Sequence, residues 1–405
     1  MPFSLSSNSV LRDPRGIALL LAATLTTMAN ATISPALAGL EMRFADHPQV
    51  ELLTRMLVPA PSISVVLCAP FIGVLADKLG RRALLLSGVI LFVLSGLAGV
   101  VLPDLNSIFA SRLVMGVAVA LIMTAQTALI GDYFEGDQRQ QLMGLQISAR
   151  NFGGFVAIFV AGLLAAFSPQ YAFLLYGLAA FFLPLMWRVI RDPQRFVETQ
   201  KTASNQNLQA GKAGWQLILF GMIFLQMLTS MMFFVMPTQL PFFLQSLGLD
   251  AALATGNALG ALTIAGGIAA LLYARLHKQI GAAGILGLGY VFMSAGFLIL
   301  ALATSFWPVL AGAILVGWGL ATVMPNFVSI ALKVTPAQHR GRAGGFLTMS
   351  VFLGQVVSPF ASMAIIGQIG FSGLYGLLAI SLAVFAAIAA ARALIVRSAK
   401  LAPAQ

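Results

Sequence analysis

Two arginines fall where a greasy chain should carry no charge. Arg112 and Arg150 each lie inside a long run of hydrophobic residues, roughly 9 Å and roughly 16 Å from the nearer end at the rise of an α-helix. A guanidinium is a planar fork of five donors that stays charged, and it matches carboxylate or phosphate oxygens two at a time. All twelve acidic residues fall at the ends of the runs or between them, so no embedded carboxylate is at hand to neutralise either cation. The chemistry this offers is recognition of an anionic or electron-rich small molecule, whereas a permanent cation would be repelled. Each arginine also has a structural reading, Arg112 capping backbone carbonyls and Arg150 making an internal contact, and the residues alone leave both readings open.

Uncharged polar residues extend the candidate substrate-binding set. Asn30, Gln126, Gln146, Gln226, Asn257 and Asn326 all interrupt apolar runs, as do Asn151, Gln239 and Gln355. Gln146 and Arg150 are four apart and so share a helix face. Any of these could instead tie helices together. The stretch "QMLTSMMFFVMPTQLPFF" adds Met227, Met231, Met232 and Met236 beside Pro237 and Pro241, an adaptable apolar wall next to helix breakers. No G-x-x-x-x-G-K-[ST] loop is present to hold a nucleotide. His47, His277 and His339 lie at run ends, Cys68 is alone, and no nucleophile stands with a base. Neither an enzyme, a metal centre nor a cofactor is therefore expected.

The elements that must position these residues follow from composition. Of 405 residues, 59% are hydrophobic and 9% charged, against about a quarter charged in soluble domains. Runs of about 20 apolar residues read as transmembrane helices, because in lipid the backbone must satisfy itself. Twelve are expected, near 16–40, 52–76, 82–102, 106–131, 139–167, 171–190, 215–245, 251–275, 281–303, 306–332, 341–367 and 372–395. The fold class is thus all-α and membrane-embedded, with a six-helix bundle over 1–190, a polar cytoplasmic linker over 191–214, and a second bundle over 215–405. Basic residues concentrate on the loops that share a side with both termini, which puts the termini in the cytoplasm by the positive-inside rule. Topology accounts for the net charge of +11, so a nucleic-acid partner is not needed to explain it. The lipid bilayer and a small solute are the expected partners, and the chain is expected to act as a monomer.

Shifting the chain by about 200 positions superposes Gly80 on Gly281, Gly116 on Gly317, Arg139 on Arg340, Gly144 on Gly345 and Gly153 on Gly354, an internal repeat that makes the two bundles pseudo-symmetric. Within the first half, "GVLADKLGRR" (73–82) resembles the G-x-L-A-D-R/K-x-G-R-R/K loop of the major facilitator superfamily, and "RLVMG" (112–116) resembles its fourth-helix arginine motif. "ARNFGG" (149–154) stands where drug/proton antiporters of that superfamily often carry G-P-x-x-G-G, with Ala149 and Arg150 in place of Gly-Pro. The resemblance implies a secondary carrier working by alternating access, of the efflux type in a bacterial inner membrane. It leaves an anionic or amphipathic cargo and a broad set of hydrophobic drugs as alternatives. Protons are the family's usual coupling ion, with facilitated diffusion and anion exchange also open. It also implies gating residues: Asp77 meeting the start of the eleventh helix when the inner side closes, and Arg81 pairing with Asp132. Gly73 is expected to let helices approach closely, and Gly80 to permit the tight turn.

The repeat places Lys278 opposite Asp77, and Lys333 opposite Asp132, in equivalent loops of the two halves. Such pairs suit an inner gate, since exposed ion pairs contribute only about 0–1 kcal/mol each and can bias a rocking equilibrium without locking it. The positive-inside rule alone would also place both lysines. If they do form a gate, the exchange Asp77→Lys with Lys278→Asp is expected to recover more transport than either single change, measured as solute flux into vesicles. Absence of recovery would refute the pairing.

Overall fold

The computed structural model describes residues 10–192, 214–336 and 339–401; most of the expected linker lies outside them. Among the described residues the secondary structure is helical, with no strand. Ten helices among the described residues are long and apolar enough to cross a membrane, or eleven when one bent pair counts as a single span. Large apolar side chains such as Phe71, Phe152, Phe167, Leu217 and Ile380 are exposed, which suits a lipid solvent and not water.

Helix α1 (Pro14–Ala31) begins where Asp13 accepts the Arg15 N–H at 2.8 Å, with Pro14 in the first turn. The Arg15 hydrogen bonds hold the Asp13 carboxyl below its ordinary range. A short 3-10 turn over Ser34–Ala36 joins α1 to α2 (Leu37–Arg43). Helices α3 (Val50–Met56) and α4 (Ala60–Leu79) follow. They form the bent pair, at 58°, where a single span over 52–76 was expected. The reason is "VPAP" at 58–61, since proline lacks the N–H a continuous helix needs. Helix α5 (Arg81–Val101) leads to α6 (Leu105–Tyr133), capped by Asp104, which accepts the Ser107 N–H at 2.8 Å. That backbone bond, with a second from the Ser107 hydroxyl, lowers the Asp104 pKa. Helix α7 (Gly136–Phe167) is followed by a tightly wound 3-10 stretch over Pro169–Phe182 and then α8 (Leu183–Val189), where one α-helix over 171–190 was expected.

The second half contains α9 (Trp215–Ser246), α10 (Ala251–Ala301), α11 (Phe306–Val334) and α12 (Arg340–Leu401). Helix α10 is broken at Gly281 (φ 69°) and α12 at Gly370 (φ 71°), a left-handed backbone that glycine adopts without strain. Gly80, the repeat partner of Gly281, has φ 87° at the equivalent turn. The repeat extends to packing: a Cβ on Gly116 would collide with the Pro61 carbonyl, and a Cβ on Gly317 with that of Leu262, and these pairs correspond under the same shift. Gly73 is a correction, because a Cβ there would meet nothing within 4 Å; close helix approach falls on Gly116 and Gly317 instead. Buried apolar side chains form two clusters, one drawn mainly from residues 10–190 and the other mainly from 232–389.

Arg112 belongs to the first of these cores. It is fully buried, donating from Nε to Leu57 O at 3.2 Å, from Nη1 to the Tyr176 hydroxyl at 2.8 Å, and from Nη2 to Ala29 O. Both carbonyls are helix-end orphans. Leu57 O would be taken by the N–H four residues on, but Pro61 has none, and Ala29 O lies in the last turn of α1. The expectation that Arg112 binds substrate is corrected accordingly: its donors are spent stapling α1, the α3–α4 bend and the 3-10 stretch. Arg112→Met leaves three acceptors buried without donors, at about 1–3 kcal/mol each. It is expected to lower the unfolding free energy of detergent-purified protein by about 3 kcal/mol or more, and Arg112→Lys, with one compact ammonium, to restore little of it.

Candidate functional site

Between the two halves lies a cavity of about 690 Å³, within the usual range for small-molecule sites. The first half contributes α1, α6 and α7 to its wall, and the second contributes α9, α10, α11 and α12. Phe233, Phe234, Phe352, Met123 and Met324 make it largely apolar. Its polar groups are few: Thr26, Thr27 and Asn30 on α1, Arg150 and Asn151 on α7, Thr263 and Tyr273 on α10, and Gln355 on α12. Arg150 is the one charged residue lining it among the described residues. The Arg150 Nε is buried without a hydrogen-bond partner.

Glycines on α7 place that arginine. A Cβ on Gly153 would fall 2.7 Å from Thr24 Cγ2, and one on Gly154 2.8 Å from Thr27 Cγ2. The bare backbone therefore lies against α1, and Arg150 stands one turn earlier on the same helix. In the second half, prolines shape the wall. Pro237, Pro325 and Pro359 withhold the N–H that would take the carbonyls of Phe233, Ala321 and Gln355. All three of those residues line the cavity, so the ladder is interrupted where the wall is.

Of the residues expected from sequence to contact substrate, the structure brings Arg150 and Asn30 together on the cavity wall. Gln126 is buried and donates to Leu19 O at 2.6 Å, tying α6 to α1. Asn326 is buried, donates to Thr322 O at 2.9 Å and accepts the Tyr273 hydroxyl at 3.1 Å, so it meets the cavity only through Tyr273. Gln226 is buried with Oε1 unpartnered, Gln146 is half-buried and Asn257 exposed, and none of the three lines the wall. Thr26, Thr27, Thr263 and Tyr273 carried no signal in the sequence, because threonine and tyrosine are ordinary in apolar helices.

Among the described residues, the hydrogen bonds between the halves gather toward one end. Call the end that carries α1's start and α12's start the terminus face, and the opposite end the distal face. Toward the distal face Asn30 Nδ2 and Ser62 Oγ both donate to Gln355 Oε1, at 3.1 and 2.5 Å, and Ser34 Oγ donates to Pro237 O. Pro241 explains the last bond, since it leaves Pro237 O without a helical donor. Arg55 Nε donates to Gln239 Oε1 at 3.0 Å, its guanidinium lies 4.0 Å from the Phe242 ring centroid, and Glu41 and Glu51 pair with it at 3.0 and 3.4 Å. Gly162 and Gly256 let the α7 and α10 backbones touch. At the terminus face no hydrogen bond or ion pair is seen between the halves among the described residues. There Arg81 forms an ion pair with Asp132 inside the first half, while Lys278 and Lys333 are exposed without an ion pair. The Asp77 side chain lies outside the described residues. Gly80 carries the turn with positive φ, and a Cβ on it would sit 2.8 Å from an Asp192 carboxylate oxygen.

The model of the Major Facilitator Superfamily matches residues 19–283 and 241–405. The quinolone resistance protein NorA of Staphylococcus aureus is 21% identical over 321 residues, covering 76% of this chain and 80% of NorA. The multi-drug resistance efflux pump PmrA homolog of Lactococcus lactis is 25% identical over 331 residues, 80% of each. Among solved structures, a D-xylose-proton symporter superposes with a TM-score of 0.74 at 20% identity, over 92% of this chain and 96% of that one. The nucleoside transporter NupG does so at 0.69 and 15%, over 93% and 98%; these likenesses concern the fold. With two bundles, a central cavity and a family match along nearly its whole length, the chain belongs to the major facilitator superfamily of membrane transporters.

Proposed function

We propose that the protein is a secondary carrier exporting small amphipathic organic anions across a bacterial inner membrane, as a monomer, with both termini in the cytoplasm. The observation that carries this reading is Arg150, a cation on an otherwise uncharged and largely apolar wall, with a buried donor that no described residue takes. At an effective dielectric of about 20, a like charge about 6 Å from it costs about 3 kcal/mol, and a carboxylate gains a similar amount. Each figure is roughly a hundredfold in affinity. The aromatic and methionine side chains around it suit a ring-bearing cargo.

In this orientation the bonded distal seam faces outward and the cavity serves the cytoplasm. Transport then needs the seam to part and the terminus face to close, with the bundles over 1–190 and 215–405 rocking about the cavity. We assign Arg81, Asp132, Lys278, Lys333 and Asp77 to that closure, on the family resemblance and the internal repeat. A second reading, broad efflux of hydrophobic drugs coupled to protons, draws support from the same apolar wall and from the resistance functions in the names of NorA and the PmrA homolog.

Flux in proteoliposomes separates the two. Nalidixate, an anionic quinolone, and ethidium, a permanent cation, are compared with and without a pH gradient, in wild type and Arg150→Gln. Nalidixate flux is expected to exceed ethidium flux in the wild type and to fall about tenfold or more in the variant. Equal movement of both solutes, with the variant unaffected, would overturn the anion reading and favour the second. A dependence on the pH gradient identifies proton coupling.

A further inference from the structure

The distal seam holds the halves at several places, and few of them touch the cavity. Arg55 with Gln239 and Phe242 lies off its wall, as do Gly162 and Gly256. Gln355 and Asn30 belong to both: each lines the cavity, and each bonds to the other across the seam. Gln355 is 5% exposed and its Oε1 already accepts from Asn30 and Ser62, both in the first half. Its Nε2 makes no hydrogen bond among the described residues, and Gln355 lines the cavity. Pro359 removes the helical partner of the Gln355 carbonyl, so α12 lacks a rung at the residue that carries the contact.

We propose that the Asn30–Gln355 amide pair is the specificity contact through which an anionic cargo releases the distal seam. This rests on the reading of Arg150 as the anion-binding cation. A carboxylate is a stronger acceptor than an amide oxygen, because hydrogen bonds to ionised acceptors are roughly twice as strong as neutral ones. A cargo oxyanion held near Arg150 draws Asn30 Nδ2 away from Gln355 Oε1 and takes the free Gln355 Nε2 as a further donor. One bond across the seam is lost, and the unsupported rung of α12 gives at the same point. A cation offers no acceptor, so it can enter the apolar cavity without releasing the seam. Discrimination then lies in the transport step as well as in binding. Differential interaction of the cargo with the two states is what any such shift requires.

Ser34, fully buried under the seam against Pro237 O, supplies the reporter. Cys68 is the sole cysteine, so Ser34→Cys in a Cys68→Ser background gives one thiol. Its labelling by a membrane-impermeant maleimide is followed in proteoliposomes with inside-in orientation, with and without nalidixate, alongside nalidixate binding to the purified protein. With Gln355 present, nalidixate is expected to raise the labelling rate about fivefold, the worth of one neutral hydrogen bond, and ethidium to leave it unchanged. With Gln355→Leu or Asn30→Leu the rate is expected to be raised already without nalidixate and to stop responding to it. Labelling is read at saturating nalidixate for each variant; Gln355→Leu is expected to bind nalidixate more weakly, through loss of its Nε2 donor, but to keep more affinity than Arg150→Gln, because Arg150 is intact. A nalidixate response preserved in both leucine variants overturns the proposal and leaves the Arg150 reading standing. Wild-type binding of nalidixate by Arg150→Gln overturns that reading, and this proposal with it.

Discussion

A carbonyl that loses its helical donor in a hydrocarbon medium must find another, and this constraint organises both the rigid and the movable parts of the molecule. An unsatisfied backbone group costs several kcal/mol in lipid. Pro61 frees Leu57 O, and Arg112 takes it within the first half. Pro241 frees Pro237 O, and Ser34 takes it from the other half. The chemistry is the same and the consequence differs. A freed carbonyl answered inside one bundle binds that bundle into a single body, whereas one answered across the seam makes a contact that must be given up when the bundles part.

The same device sets the shape of the cavity. Prolines in α9, α11 and α12 interrupt the hydrogen-bond ladder beside Phe233, Ala321 and Gln355, and each of these lines the wall. The first half reaches the cavity differently, through bare glycine backbone at 153–154 pressed on Thr24 and Thr27. One half thus presents a close-packed face bearing the charge, and the other presents helices that lack rungs. The repeat survives in the paired glycine turns at 80 and 281 and in the close contacts of Gly116 and Gly317, while the cavity walls have diverged.

Hydropathy made most helices legible, because twenty apolar residues in a row have few other solutions in lipid. Its blind spots were places where the chain stays apolar but the backbone changes course. The bend at 57–59 was written as "VPAP" yet lies inside one greasy run, and nothing in 169–182 marks it as 3-10. The candidate site was legible only in part, for a geometric reason. A polar residue inside an apolar helix must turn inward, but inward includes both the cavity and the neighbouring helices of its own bundle. Periodicity does not separate them. Gln126 and Asn326 turned toward backbone carbonyls, Arg150 and Asn30 toward the cavity, and the threonines beside them were too common to stand out.

Three arginines embedded among apolar helices show how partners decide role. Arg55 is neutralised by Glu41 and Glu51 and covered by Phe242; Arg112 is surrounded by carbonyls and a hydroxyl. Both are fully engaged and serve the architecture. Arg150 differs, since its Nε is buried with no acceptor and the cavity it lines holds no carboxylate. A charge kept in a poorly solvating place without a counter-ion raises the free energy of the empty protein. On the proposed anion reading, that excess is what an arriving anion relieves, so the least satisfied arginine is the one whose environment changes most when cargo enters. By the same reasoning its removal should tax the loaded state while leaving the empty protein's stability intact or improved, the reverse of what the burial of Arg112 implies.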